Sequence, residues 1–107
     1  MNTRYANLNL EARVPIIITE AGVGKTGLAV KLNIQRVDNG QWWSGSGWQD
    51  NSYELSATER NSTDQKGYYE YAFTPALSTI YIIHSYITAG NYAFDSYEQL
   101  ICRITGY

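Results

Sequence analysis

The chain of 107 residues contains one cysteine, one histidine and two prolines, and charged residues make up only 17% of it. The single cysteine, Cys102, excludes an internal disulfide and gives no sign of an oxidising compartment. One Cys and one His cannot build a zinc site unless carboxylates join them, and no ligand spacing suggests that they do. Eight Lys and Arg against ten Asp and Glu leave a net charge of −2, which argues against nucleic acid as a partner, because that needs a basic footprint. The longest apolar run, Val14–Ile18, is far short of the ~20 residues that cross a membrane, so no membrane partner is expected. No basic stretch followed by an apolar run opens the chain, and nothing there reads as a signal peptide. One domain of this size, without a disulfide, has to be held together by its core.

Tyrosine is abundant instead: ten Tyr accompany three Trp and only two Phe. Tyr and Trp combine an apolar body with a polar tip and suit both partly buried strands and contact surfaces. With so few charges, the surface must be largely Asn, Ser, Thr, Gln, Gly and Tyr. That mixture is closer to a paratope than to the surface of an ordinary enzyme.

Two-residue periodicity runs through the chain and helical periodicity is weak. In the run from Leu28 to Ile34, Leu28, Val30, Leu32 and Ile34 share one face of a strand, and Ala29, Lys31, Asn33 and Gln35 the other. Asp38-Asn39-Gly40 follows, and Asn-Gly predicts a type I′ turn with Trp42 and Trp43 starting the return strand. Tyr53, Leu55 and Ala57 alternate as a further strand, and the polar segment Asn61–Gly67 reads as a loop. Tyr69, Tyr71 and Phe73 alternate up to Pro75, and Ile80–Ile87 is apolar or aromatic on both faces, as a central strand should be. Gly90-Asn91 marks a turn before a last strand from Tyr97 to Thr105. Upstream, Leu8, Leu10, Ala12 and Val14 alternate, and Pro15 suits an edge strand. About seven strands and no convincing helix predict an all-β chain: an antiparallel, immunoglobulin-like β-sandwich, with a small barrel as the alternative. Residues 1–13 form an N-terminal arm or edge strand in this reading, Met1–Asn7 lying outside the strand pattern, and residues 14–107 form the sandwich.

The segments that could carry chemistry mostly do not. Ala21-Gly22-Val23-Gly24-Lys25-Thr26 looks like a phosphate loop, but Thr19 occupies the place of the first glycine. A strand rather than a helix is expected after it, so there is no helix N-terminus for a phosphate. The bland reading, a turn between strands, is favoured. His84 and Cys102 each lie within an apolar strand, which makes them core or interface residues rather than a nucleophile pair. The acidic residues are scattered apart from Glu54 and Glu59, with no pair suited to glycoside hydrolysis. Asn61-Ser62-Thr63 fits a glycosylation sequon and, lacking a secretory signal, is read as a loop. No catalytic residue and no cofactor is expected. Trp42-Trp43-Ser44-Gly45-Ser46-Gly47-Trp48 is different, because adjacent strand residues face opposite sides. One of Trp42 and Trp43 should be buried and the other should serve a contact, either with another protein subunit or with a sugar.

The order Pro15-Ile16-Ile17, Thr26-Gly27-Leu28-Ala29-Val30 and Asp38-Asn39-Gly40, followed by Tyr53-Glu54-Leu55 and Gly67-Tyr68-Tyr69-Glu70-Tyr71-Ala72-Phe73, resembles small immunoglobulin-like modules of tailed-bacteriophage particle proteins. The resemblance spans roughly residues 14–105, on short motifs, and departs in the Trp-rich turn and the N-terminal segment. It implies a non-enzymatic structural virion protein, made in the host cytoplasm. The expected role is an auxiliary or decoration protein bound in many copies, or as a homo-oligomer, to the major capsid or other virion proteins. A tail, baseplate or fibre adaptor is the alternative place. A carbohydrate-binding module that stacks glycan on Trp42, Trp43 and Trp48 is the reading from another class. The partner-contacting residues expected are Tyr5, Leu8, Leu10, Trp42, Trp43 and Trp48.

Overall fold

Ile80–Ile87 lies at the middle of the larger of two sheets that face each other. The computed structural model describes residues 2–87 and 94–103, so the expected Gly90-Asn91 turn and the end of the last strand lie outside the described residues. In chain order the strands are β1 (Asn2–Asn7), β2 (Ala12–Ile17), β3 (Thr19–Glu20), β4 (Val23–Gly24), β5 (Val30–Arg36), β6 (Trp42–Trp43), β7 (Trp48–Gln49), β8 (Leu55–Ser56), β9 (Thr58–Asn61), β10 (Gln65–Phe73), β11 (Ile80–Ile87) and β12 (Asp95–Arg103). No helix occurs among the described residues. The larger sheet runs β1-β12-β11-β5-β6-β7, with β8 also paired to β5; the smaller runs β2-β10-β9, and β3 and β4 form a separate ribbon. All pairings are antiparallel except β1 with β12.

Alternation places the core. Leu32, Ile34, Tyr81, Ile83, Leu100 and Cys102 point inward from the larger sheet and meet Val14 and Phe73 of the smaller one. A second cluster joins Ile16, Ile18, Val30 and Tyr69. Pro15 sits in β2, an edge strand of the smaller sheet, where its missing N–H is tolerated.

Several local expectations are corrected. Asn2–Asn7, expected to stand outside the strand pattern, pairs along its whole length with β12. Its residues are mostly polar and only Ala6 is buried, so no alternation was there to read. Leu8, Leu10 and Ala12 do not continue one strand. Asn9 takes a left-handed φ of 63°, its N–H donates to the Pro75 carbonyl at 2.7 Å, and the chain crosses to the other sheet before Ala12. At Asp38-Asn39-Gly40 only Gly40 has positive φ (76°), so the turn is not type I′. The loop closes through Gly40 N–H to the Arg36 carbonyl (3.0 Å), and the Asn39 side chain accepts from Gln41 N–H (3.0 Å). The expected loop Asn61–Gly67 is shorter than read, a turn over residues 62–64 between β9 and β10: Asn61 Oδ1 accepts from the N–H groups of Thr63 and Asp64, and β10 begins at Gln65.

The phosphate-loop look-alike is a hairpin. Ala21 and Gly22, with φ of 52° and 80°, have the two positive values of a type I′ turn and join β3 to β4. This ribbon lies across a bulge in β10 at Gly67. Ile18 N–H donates to the Gly67 carbonyl at 2.9 Å, and a Cβ on Gly67 would sit 2.8 Å from Lys25 N and closer still to the Ile18 carbonyl oxygen. Glu59 ties the crossing together. It accepts from the Thr26 hydroxyl (2.6 Å), Gly27 N–H (3.1 Å) and Gly67 N–H (3.2 Å). The Thr26 bond is the main reason the Glu59 carboxyl is held below the usual carboxylate range; partial desolvation opposes it, and the two amides add to it.

Two outcomes are expected from this crossing. Ala21→Gly relieves left-handed strain in a residue with a Cβ and should raise stability by up to about 1 kcal/mol, whereas Gly67→Ala should lower it by about 2 kcal/mol or more. Denaturant midpoints at constant m-value measure both. Because the folded carboxyl of Glu59 titrates below its unfolded value, its stabilisation is present above the unfolded value and is lost as pH falls through the folded one. Glu59→Gln should therefore be less stable at neutral pH and lose less stability on acidification than the parent, read from unfolding curves across acid pH.

Candidate functional site

The outward side chains of the larger sheet line up across strands. Register places Thr3, Gln99, Ile82, Gln35, Trp42 and Gln49 in one continuous row across six strands. Beside it on one side run Tyr97, His84 and Asn33, and on the other Tyr5, Ile101 and Ile80. Apart from Thr3, these side chains are amides, aromatics and isoleucines. His84 is the one titratable imidazole in the chain and is held by its neighbours: its ring stacks on Tyr97 at 4.3 Å and 4°, lies 4.9 Å from Tyr86, and its Nε2 contacts Asp95 Oδ1. Towards that end Tyr86 Oη donates to Glu54 Oε2 (3.2 Å), and burial first, then the Glu54 charge, pushes the phenol up. Lys31 Nζ donates to Ser56 Oγ at 2.8 Å. The formal charges thus collect at the ends of the face, away from its central row.

The six residues expected to meet a partner are not brought together. Tyr5 is 55% exposed on the outer side of β1, with the Arg103 guanidinium 4.4 Å from its ring centroid. Trp42 stands in the central row, several strands away. Leu8 packs against the main core, and Leu10 is exposed in the turn after β1. Trp43 and Trp48 face inward as a register pair, 5.1 Å between centroids. Both lie edge-on to Phe73, and Trp48 stacks on Tyr81 at 5.7 Å and 17°. Arg36 covers the outside of Trp48 at 5.2 Å. Alternation alone separates Trp42 from Trp43, without a bulge. Gln35, Ile82, Tyr97 and Gln99 were not anticipated as surface contacts, and His84 was read only as a core or interface residue. The signal for them was the outward set of the strands already recognised.

His84 and Cys102 cannot act as a pair, since one points out of the larger sheet and the other into the core, where burial pushes the Cys102 thiol up. Among the described residues no cluster of three His, Cys, Asp or Glu could hold a metal. A cleft of about 280 Å³ opens between β1, β12 and β2, walled by Pro15, Ile16 and Ile17 on one side and by Arg4, Ser85 and Glu98 on the other. Burial pushes the Glu98 carboxyl up against the pull of Arg4, whose Nε is 3.0 Å away. Arg4 also donates to the Arg13 carbonyl (3.3 Å), and Arg13 pairs with Glu70 at 2.6 Å, so these charges clamp the two sheets together along that side.

The two adjacent tryptophans should separate cleanly on truncation. Trp43→Ala opens the aromatic cluster and should cost about 3 kcal/mol, whereas Trp42→Ala should cost under about 1 kcal/mol. Urea unfolding of both variants measures the difference. No protein-family model matches this chain, and neither does any curated protein or solved structure.

Proposed function

We propose that this chain is a non-enzymatic assembly module with an immunoglobulin-like sandwich fold. In this reading it attaches in many copies to the proteins of a tailed-bacteriophage particle, as an auxiliary or decoration protein of the capsid. The strand order supports the fold. β12, β11, β5, β6 and β7 follow the G-F-C-C′-C″ order of a variable-type sheet, and β2, β10 and β9 follow B-E-D of the facing sheet. Tyr81, at the start of β11, donates its hydroxyl to the Leu77 carbonyl four residues upstream (2.9 Å), the geometry of a tyrosine corner. The sequence resemblance supplies the particle.

The observation that carries the functional reading is the wide outer face of the larger sheet, with an uncharged central row of amides, Ile82 and Trp42. Such a surface binds protein through shape, aromatic area and adaptable hydrogen bonds rather than through charge. A tail, baseplate or fibre adaptor would use the same face. The glycan reading has less to rest on, because Trp43 and Trp48 are spent on the core and only Trp42 is left outside.

The test is co-sedimentation of the labelled protein with phage particles lacking it and with isolated capsids and tails. Saturable attachment to capsids in many copies is expected, with no retention on polysaccharide. Retention on polysaccharide without attachment to any particle fraction would replace this reading with the carbohydrate-binding one.

A further inference from the structure

We propose that the outer face of the larger sheet is an isologous dimer interface occupied by a second copy of this chain, with the two-fold axis passing close to Ile82 and Gln35. The inference rests on reading this face as a protein-contact surface and names its partner. Near a two-fold axis every residue meets its own copy, so a charge there would meet a like charge. The central row has none: Gln99, Ile82, Gln35 and Trp42 run through its middle. An amide both donates and accepts, so it can pair with the same group related by symmetry, which an ammonium or a carboxylate cannot. Partners recognised by charge would call for a patch of one sign, and Lys31, Asp95 and Arg103 are instead spread along the margins with mixed signs.

The size fits as well. Four strands of six to nine residues, β1, β12, β11 and β5, at ~4.8 Å spacing and ~3.3 Å rise make an area of roughly 19 by 23 Å, which Trp42 and Gln49 of the two-residue β6 and β7 extend on one side, and side-chain relief brings it to the small end of specific interfaces, about 600 Å² per partner. Two such faces can pack as sheets do, about 10 Å apart with aligned strands. A net charge of only −2 per chain sets little repulsion against pairing.

A complementary-charge experiment on the full chain tests this. Wild type should sediment as a dimer at micromolar concentration. Ile82→Glu and Ile82→Lys should each weaken the dimer by about tenfold or more, since like charges face each other, and an equimolar mixture should restore it as a heterodimer. Circular dichroism and the thermal midpoint check that each variant folds. If either does not, Gln35→Glu and Gln35→Lys replace the pair. A monomeric wild type, variants that still dimerise, or a mixture that stays monomeric would each overturn the proposal. Particle attachment is scored separately. A monomer that attaches to capsids leaves the particle role standing and removes the dimer, whereas a dimer that attaches to nothing does the reverse.

Discussion

Complete burial of Tyr81 organises the molecule. Its ring sits between Trp48 of its own sheet and Phe73 of the other, with 0% exposure. A phenol so buried has to find an acceptor, and the Leu77 carbonyl supplies it, which fixes the path of the connection between β10 and β11. Burial is also the main reason its hydroxyl is pushed up to about 12, so it remains a neutral donor throughout the physiological range. Once Tyr81 is placed, Trp48 and Trp43 are drawn inward around it, and alternation sends Trp42 outward. The composition of the outer face follows from that core decision.

The long strands were legible because period two is a property of the local sequence and burial follows it: Val30, Leu32 and Ile34 point inward as the pattern predicts, whereas in Ile80–Ile87, apolar or aromatic on both faces, only the structure shows that Tyr81 and Ile83 are the inward ones. Turn geometry was less so. The Asn39-Gly40 pair could serve a two-residue turn, yet the chain closes over four residues, because Asn39 satisfies Gln41 N–H with its side chain while Arg36 pairs with Gln41 and grips Asp38. Conversely, Ala21-Gly22 makes the type I′ turn although Ala at positive φ is disfavoured, and its ribbon is held from outside by Gly67 and Glu59. β1 could be read only as an arm or an edge strand, since its stability comes from pairing with residues nearly a hundred positions away. The candidate face was hidden for a related reason. Gln35, Ile82 and Gln99 read as unremarkable singly, and only the register between three strands makes them one surface.

The glycine-rich segment shows how a motif and its meaning separate. In a phosphate loop, glycines let backbone N–H groups converge on an anion. Here Gly24 and Gly67 let two pieces of backbone cross at close range, and the anion is the chain's own Glu59 carboxylate. Lys25 turns back to Glu20 across the same ribbon at 3.3 Å. The same residue types serve a latch between the ribbon and the smaller sheet.

The parallel pairing of β1 with β12 gives the domain a mechanical character. Asn2 lies beside Glu98 and Asn7 beside Arg103, so the first strand enters at one end of the ladder and the last leaves at the other. Tension applied between Asn2 and Arg103 would slide the two strands along each other and load their hydrogen bonds together, whereas an antiparallel hairpin pulled from its open end breaks them one after another. A module strung into a larger object by its two ends would then yield as a single unit, with the Arg4–Glu98 pair bridging the loaded strands directly.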